Sequence, residues 1–79
     1  MLILELKTKY DSRKSFYRKA IEIYPDAEVL LVSYDTVICT IKKNGKLVMN
    51  CDLNDMSVTT KRHFREFIKQ HRLRLRIEE

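Results

Sequence analysis

Glycine and proline are almost absent from this sequence, which has one residue of each among 79. Flexible linkers and long irregular loops are rich in these two residues, so their scarcity predicts a single folded domain over residues 1–79. One glycine also excludes a glycine-rich loop that cradles phosphates. The chain is 44% hydrophobic and 34% charged, a composition typical of a small folded domain with a highly charged exterior.

Cysteines and long apolar runs are also scarce. The chain has two cysteines, Cys39 and Cys51, whereas a small secreted domain held together by disulfides usually has more. We expect both to be buried free thiols. No segment approaches the ~20 apolar residues of a membrane span, and the apolar start at residues 1–6 is too short for a signal peptide. The sequence therefore predicts a soluble, cytoplasmic protein with no membrane partner.

No arrangement of residues indicates an enzyme or a metal site. The two histidines, His63 and His71, are eight positions apart, and no Cys-x-x-Cys or His-x-x-x-His spacing occurs. Asp52 and Asp55 lack the glycine and the glutamate of a calcium-binding loop. We therefore predict no enzymatic activity, no metal and no cofactor. His71 is expected to be a partly buried residue with a hydrogen bond, and His63 to have a local capping or packing role, with its function left open.

The clearest local signal is Asn44-Gly45, which lies between two apolar runs. This dipeptide favours a two-residue type I′ turn, so residues 36–42 and 46–51 are predicted to form an antiparallel hairpin. The turn sets the register, in which the pairs are Ile41 with Val48, Thr40 with Met49 and Cys39 with Asn50. Cys39 and Cys51 then fall on opposite faces of the hairpin, so we expect no disulfide between them.

Other parts of the chain also show strand patterns. Residues 28–33 form a continuous apolar run, which is typical of a central strand. Over residues 73–77, leucine and isoleucine alternate with arginine, which is the period of a half-buried strand. Residues 15–24 fit a helix through the spacing of Phe16 and Ala20, but their isoleucines and tyrosines also favour a strand.

The strongest helical pattern runs from about residue 60 to residue 71. Its apolar face consists of Phe64, Phe67, Ile68 and His71, spaced at i, i+3, i+4 and i+7. Ser57 or Thr59 provides the N-terminal cap. The expected fold is α+β: an antiparallel sheet of four or five strands with one C-terminal amphipathic helix packed on one face.

Positive charge is concentrated on this predicted helix and just after it. Residues 61–76 contain seven Lys or Arg residues against one acid, Glu66, whereas the whole chain has a net charge of +5. The candidate binding residues are Lys61, Arg62, Arg65, Lys69, Arg72, Arg74 and Arg76, the first five of which fall within an arc of about 100°. Such a stripe suits phosphate contacts or an acidic protein groove, or it is a solvated outer face. No aromatic residue interleaves it, which disfavours base stacking.

Three segments carry a more specific pattern. They read Tyr10-Asp11-Ser12-Arg13-Lys14-Ser15-Phe16-Tyr17-Arg18-Lys19-Ala20, Ser33-Tyr34-Asp35-Thr36-Val37 and Ser57-Val58-Thr59-Thr60-Lys61-Arg62-His63-Phe64-Arg65-Glu66-Phe67-Ile68. Over about residues 10–70 the chain resembles a small domain encoded by phages and prophages of low-GC Gram-positive bacteria. The resemblance implies a phage accessory protein, and it transfers no catalytic residue because the function of those domains is uncharacterised. Relatives often have glycine where this chain has Arg18, which favours a strand over residues 14–24.

Small phage domains without catalytic residues generally act by binding. The first hypothesis is an inhibitor or modulator of a host protein or nucleoprotein complex, for example an anti-CRISPR-type factor, acting through the basic helix in the cytoplasm of the bacterial host. The second is direct binding of nucleic acid by the same residues. The third is self-association through the edge of the strand predicted at residues 73–77. The sequence leaves the oligomeric state open.

Overall fold

The computed structural model describes residues 1–75 of the chain. Within them lie five strands, a short 3-10 helix at Leu53–Asp55 and one α-helix: β1 Leu2–Glu5, β2 Ala20–Tyr24, β3 Val29–Ser33, β4 Thr36–Ile41, β5 Leu47–Met49 and α1 Val58–Gln70. The strands form one antiparallel sheet in chain order. The predicted α+β fold class is therefore confirmed. None of the helices in the described residues is long and apolar enough to cross a membrane.

The hydrophobic core lies between α1 and one face of the sheet. Alternate residues of the central strand β3, namely Val29, Leu31 and Ser33, are buried, and Phe67 of α1 is buried with them. The other face of β3 is half-buried, so the strand is apolar on both faces. This continuous apolar run is what made β3 predictable from the sequence. The buried side of the sheet also carries two polar residues, Glu22 on β2 and Ser33 at the end of β3.

The β4–β5 hairpin forms, but the predicted two-residue turn is wrong. The Gly45 N–H donates to the Lys42 carbonyl at 2.8 Å, and Gly45 has a φ of 89°. Glycine therefore takes the left-handed position that closes a three-residue loop, whereas Asn44 does not have a positive φ. The register moves by one residue, and the pairs are Ile41 with Leu47, Thr40 with Val48 and Cys39 with Met49.

Both cysteines are free, as predicted, but only Cys39 is buried, and the reason given for the absence of a disulfide is wrong. The register of β4 against β3 shifts at Leu31 and Val32, and Ile38 and Cys39 are consecutive buried residues there. A bulge of this kind turns two adjacent side chains inward. Cys51 packs against the same core as Cys39, so the two thiols do not lie on opposite faces.

Residues 14–24 are a strand only from Ala20 onward. Before β2, Tyr17 and Arg18 have φ values of 52° and 64°, and the Lys19 N–H donates to the Phe16 carbonyl at 3.0 Å. Consecutive positive φ values at the two central residues define a type I′ turn. Glycine at position 18 would suit this turn, so it does not indicate a strand interior.

A second tight turn joins β3 to β4 and has the same geometry. Its central residues, Tyr34 and Asp35, have φ values of 49° and 67°. Tyrosine rarely adopts a left-handed backbone conformation, whereas aspartate tolerates it moderately well. The Tyr34 N–H donates to the Lys19 carbonyl at 2.9 Å, so the two turns lie side by side at one end of the sheet.

The C-terminal strand predicted at residues 73–77 is not formed over the described residues. Residues 71–74 make a turn in which the N–H groups of Arg74 and Leu75 both donate to the His71 carbonyl. These two N–H groups are therefore not available to pair with a neighbouring strand. The Leu73 side chain is 98% exposed, whereas the predicted strand would have half-buried it. Residues 76 and 77 lie outside the described part of the chain. Self-association through a strand edge at residues 73–75 therefore has no structural basis.

Candidate functional site

The basic residues predicted on the helix differ in how far they are available for a partner. Arg65, Lys69 and Arg72 are exposed and make no ion pair within residues 1–75. Lys61 is half-buried. Arg62 is half-buried too, and its guanidinium Nη1 lies 3.2 Å from Oδ1 of Asp11.

Two of the predicted binding residues, Arg74 and Arg76, follow the helix. The Arg74 side chain is exposed and donates to the Ala27 carbonyl at 3.3 Å, so that it is partly committed to the β2–β3 connection. Arg76 lies outside the described residues. The exposed and uncommitted part of the predicted stripe is therefore Arg65, Lys69 and Arg72.

Glu66 interrupts the basic stripe in the sequence. In the fold its side chain is 2% exposed and fixes the loop formed by residues 7–19 onto α1. Its carboxylate accepts the N–H of Tyr10 at 2.9 Å and of Asp11 at 2.7 Å. The Gln70 side chain donates both to that carboxylate and to the Lys7 carbonyl, each at 2.6 Å. Burial raises the pKa of Glu66, but these hydrogen bonds outweigh it and hold the pKa below its ordinary value.

This attachment gives the helix a basic neighbour that the sequence analysis missed. Residues 7–19 contain six cations against one acid, Asp11, and all six cations are exposed. We use the name basic surface for the exposed residues of the attached loop segment and of the helix end, which are Lys7, Lys9 and Tyr10 together with Arg65, Lys69 and Arg72. A cleft of about 290 Å³ runs between loop and helix beside Tyr10, Arg65 and Lys69. The six loop cations are visible in the sequence, but their position depends on the long-range hydrogen bonds of Glu66.

The basic surface also contains an aromatic side chain, which the helix alone does not supply. Tyr10 is 55% exposed and lines the cleft with Arg65 and Lys69. The helix itself has no aromatic residue on its basic face, and Tyr10 is placed beside that face by the loop. Both carboxylates of the cleft are engaged, Glu66 by the loop and Asp11 by Arg62 and by the Arg13 N–H.

His71 has the environment predicted for it. It is half-buried, and its Nε2 is hydrogen-bonded to the Glu22 carboxylate on β2. This pair joins the end of α1 to the sheet. In residues 1–75 no cluster of three or more His, Cys, Asp or Glu residues could hold a metal ion.

His63 is fully buried, at 0% exposure, and belongs to a polar cluster beneath the helix. Its Nδ1 lies 2.8 Å from the Ser33 hydroxyl, which lies 3.1 Å from the hydroxyl of Thr60. The Ser57 hydroxyl donates to Thr60 Oγ1 at 3.1 Å and accepts the Thr60 N–H, which makes Ser57 the N-cap of α1. His63 therefore joins the start of α1 to the end of β3. This role extends beyond the local capping or packing role that was predicted.

Aromatic rings enclose the imidazole of His63. The centroids of the Phe16 and Tyr34 rings lie 4.5 and 5.7 Å from the His63 centroid. Burial lowers the pKa of His63; Asp11 opposes this effect, and the nearby Lys19 and Arg13 add to it. The imidazole is therefore neutral at pH 7. Its Nε2 has no hydrogen-bond partner among the described residues.

The buried face of α1 is rotated from the one predicted. The buried helix residues are Thr60, His63, Glu66 and Phe67, whereas Phe64 and Ile68 are half-buried against the core. Three of the four are polar, because the loop of residues 7–19 and Ser33 provide their partners. The three sequence segments quoted in the sequence analysis meet at His63, through Phe16, Ser33, Tyr34 and Thr60.

Comparison with known proteins gives one match. A family model described as a family of unknown function (DUF8033) matches residues 4–76. No curated protein matches the chain, and no solved structure does.

Proposed function

The chain belongs to the DUF8033 family of unknown function, and we propose that it is a non-enzymatic binding protein that docks on an acidic surface of a partner protein. The observation that carries this proposal is the basic surface. It has five exposed cations, two of which, Arg65 and Lys69, line a cleft with an exposed tyrosine, and the two carboxylates of that cleft are already engaged.

The residue types of the basic surface favour a protein partner. Arginine and tyrosine are enriched at protein interfaces and among the residues that contribute most to binding. Uncompensated positive charge steers an acidic partner toward the surface and accelerates association. The resemblance to phage domains supports a host protein as that partner, so the chain would inhibit or modulate a host factor in the bacterial cytoplasm. An anti-CRISPR-type factor is one concrete form.

The test is an affinity capture from bacterial lysate with matched variants, followed by a direct binding measurement with the purified partner. Arg65→Gln, Lys69→Gln and Arg72→Gln are combined in one protein. The control combines Lys14→Gln, Lys43→Gln and Lys46→Gln, which are exposed cations outside the basic surface and give the same net charge. We expect the first variant to weaken binding of the partner at least tenfold and the control to retain it. Equal binding by both variants would contradict the proposal.

Direct nucleic-acid binding is the second candidate, and Tyr10 favours it. An exposed tyrosine between arginine and lysine side chains can stack on an unpaired base while the cations contact phosphates. Fluorescence anisotropy with a duplex and a single strand of equal length distinguishes the candidates. Affinity that falls steeply with salt, and a captured complex that nuclease destroys, would support nucleic acid and contradict a protein partner.

A further inference from the structure

A second concave site lies beside His63 and is lined by residues other than those of the basic surface. This pocket has a volume of about 140 Å³, several times the roughly 30 Å³ that one water occupies in the liquid. Its lining includes Arg13, Ser15, Lys19, Tyr34, Thr59 and His63. Among the described residues, no aspartate or glutamate lines this pocket. None of the lining residues belongs to the basic surface, so the site goes beyond the proposed function.

The hydroxyl chain next to His63 determines which ring nitrogen carries the proton. Ser57 donates to Thr60 Oγ1, so the Thr60 hydroxyl is free to donate onward to Ser33. The Ser33 hydroxyl in turn donates to Nδ1 of His63. This is the direction in which each buried hydroxyl proton has an acceptor. Neutral His63 therefore carries its proton on Nε2, as a buried N–H donor without a partner.

A buried donor without an acceptor is costly, and the pocket offers an acceptor a place to bind. The Ser15 oxygen accepts the Tyr17 N–H at 2.9 Å, which leaves the Ser15 hydroxyl proton for a ligand. The Thr59 hydroxyl adds another donor at the helix start, and Arg13 and Lys19 add two positive charges. The lining thus combines donors and cations around a small space, together with the aromatic side chains of Phe16, Tyr17 and Tyr34.

We propose that the His63 pocket binds a phosphate group, with the Nε2–H of His63 and the side chains of Arg13 and Lys19 as its principal contacts. Two fixed cations match the charge of a phosphate, which is about −1.5 to −2 at pH 7, better than the single charge of a carboxylate. Several phosphate oxygens also satisfy the neutral donors Ser15 and Thr59. The group is either inorganic phosphate or the phosphate of a small monoester.

The test is a titration of the ¹⁵N-labelled full chain, followed by NMR at pH 7.5 and constant ionic strength. One arm adds inorganic phosphate, a second adds glycerol 3-phosphate and a third adds chloride. We expect Nε2 of His63 to be protonated before ligand addition, and its N–H resonance to shift saturably in at least one phosphate arm and not with chloride. Saturation in the first arm identifies the bare group as sufficient, and saturation in the second arm alone assigns the site to a monoester.

Matched variants separate this site from general attraction of anions to a basic protein. Arg13→Gln with Lys19→Gln removes the two cations of the pocket, and Lys14→Gln with Lys43→Gln removes two exposed cations elsewhere. All four residues are exposed, so both proteins should fold as the original chain does. We expect the first pair to weaken phosphate binding about tenfold or more and the second to change it little. Equal weakening by both pairs, no saturable shift in any phosphate arm, or a proton on Nδ1 of the free protein would overturn the proposal.

Discussion

The carboxylate of Glu66 on α1 accepts the backbone N–H of Asp11 at 2.7 Å, across 55 positions of the sequence. This bond and its neighbour from Tyr10 hold residues 7–19 against the helix. The loop contributes Tyr10 to the basic surface and Arg13, Ser15 and Lys19 to the His63 pocket. Both candidate sites therefore depend on one buried acid.

Glu66→Ala should lower the free energy of unfolding by about 2–3 kcal/mol, because it leaves the N–H groups of Tyr10 and Asp11 without their charged acceptor. Chemical denaturation followed by circular dichroism measures the change. Glu28→Gln is the control, since Glu28 forms a more exposed ion pair with Lys42 and its loss should cost less than about 1 kcal/mol. Similar losses in the two variants would show that Glu66 does not anchor the loop.

Stability should fall as the pH drops from 7 toward 5, because of His63. Burial lowers the pKa of this histidine in the folded state, so below its unfolded value of about 6.5 the unfolded chain binds a proton that the folded chain does not. The stability that the neutral, buried His63 contributes is fully present above pH 6.5, and it is lost as the pH falls toward the lowered pKa. Urea denaturation at several pH values measures it. His63→Gln should be less stable at pH 7 but should show a flatter profile between pH 7 and 5, and an unchanged slope would contradict this assignment.

Local patterns of the sequence predict much of the fold. The apolar run of β3 and the helical spacing around Phe67 are local signals, and the structure has both elements. The register of β4 and β5 is a finer property, because Gly45 can close either a two-residue or a three-residue turn. A shift of one position reverses which side chains share a face.

The candidate sites depend on contacts that no local pattern reports. In sequence, Glu66 interrupts a basic stripe and His63 stands beside a helix cap. In the fold, both are buried, and partners from distant segments bond to them: the Asp11 N–H to the Glu66 carboxylate and the Ser33 hydroxyl to Nδ1 of His63. A polar residue on the buried face of a helix is a usable signal for such partners, but it does not identify them.

The two thiols should differ sharply in reactivity. Burial, with a smaller contribution from Cys51, raises the pKa of Cys39 to about 12, and the side chain is completely buried. The thiolate is the reactive form, so Cys39 in the folded chain should not react with a thiol-specific chromogenic disulfide at pH 8. Cys51 is half-buried and should react first. The measurement is the number of thiols titrated before and after denaturant; two rapidly reacting thiols in the native protein would contradict the prediction.

Arg18→Gly should stabilise the protein by about 0.5–1 kcal/mol. Arg18 has a φ of 64°, and a left-handed conformation costs a residue with a Cβ atom roughly 1–2 kcal/mol. Glycine removes that cost but makes the unfolded chain more flexible, so part of the gain is lost. Arg18→Ala is the matched control, since it removes the same charge and keeps the Cβ atom. Thermal and chemical denaturation should therefore rank the glycine variant above the original chain and about 1 kcal/mol above the alanine variant. If alanine stabilised the chain as much as glycine, the effect would come from the lost charge among the loop cations and not from the backbone of the turn.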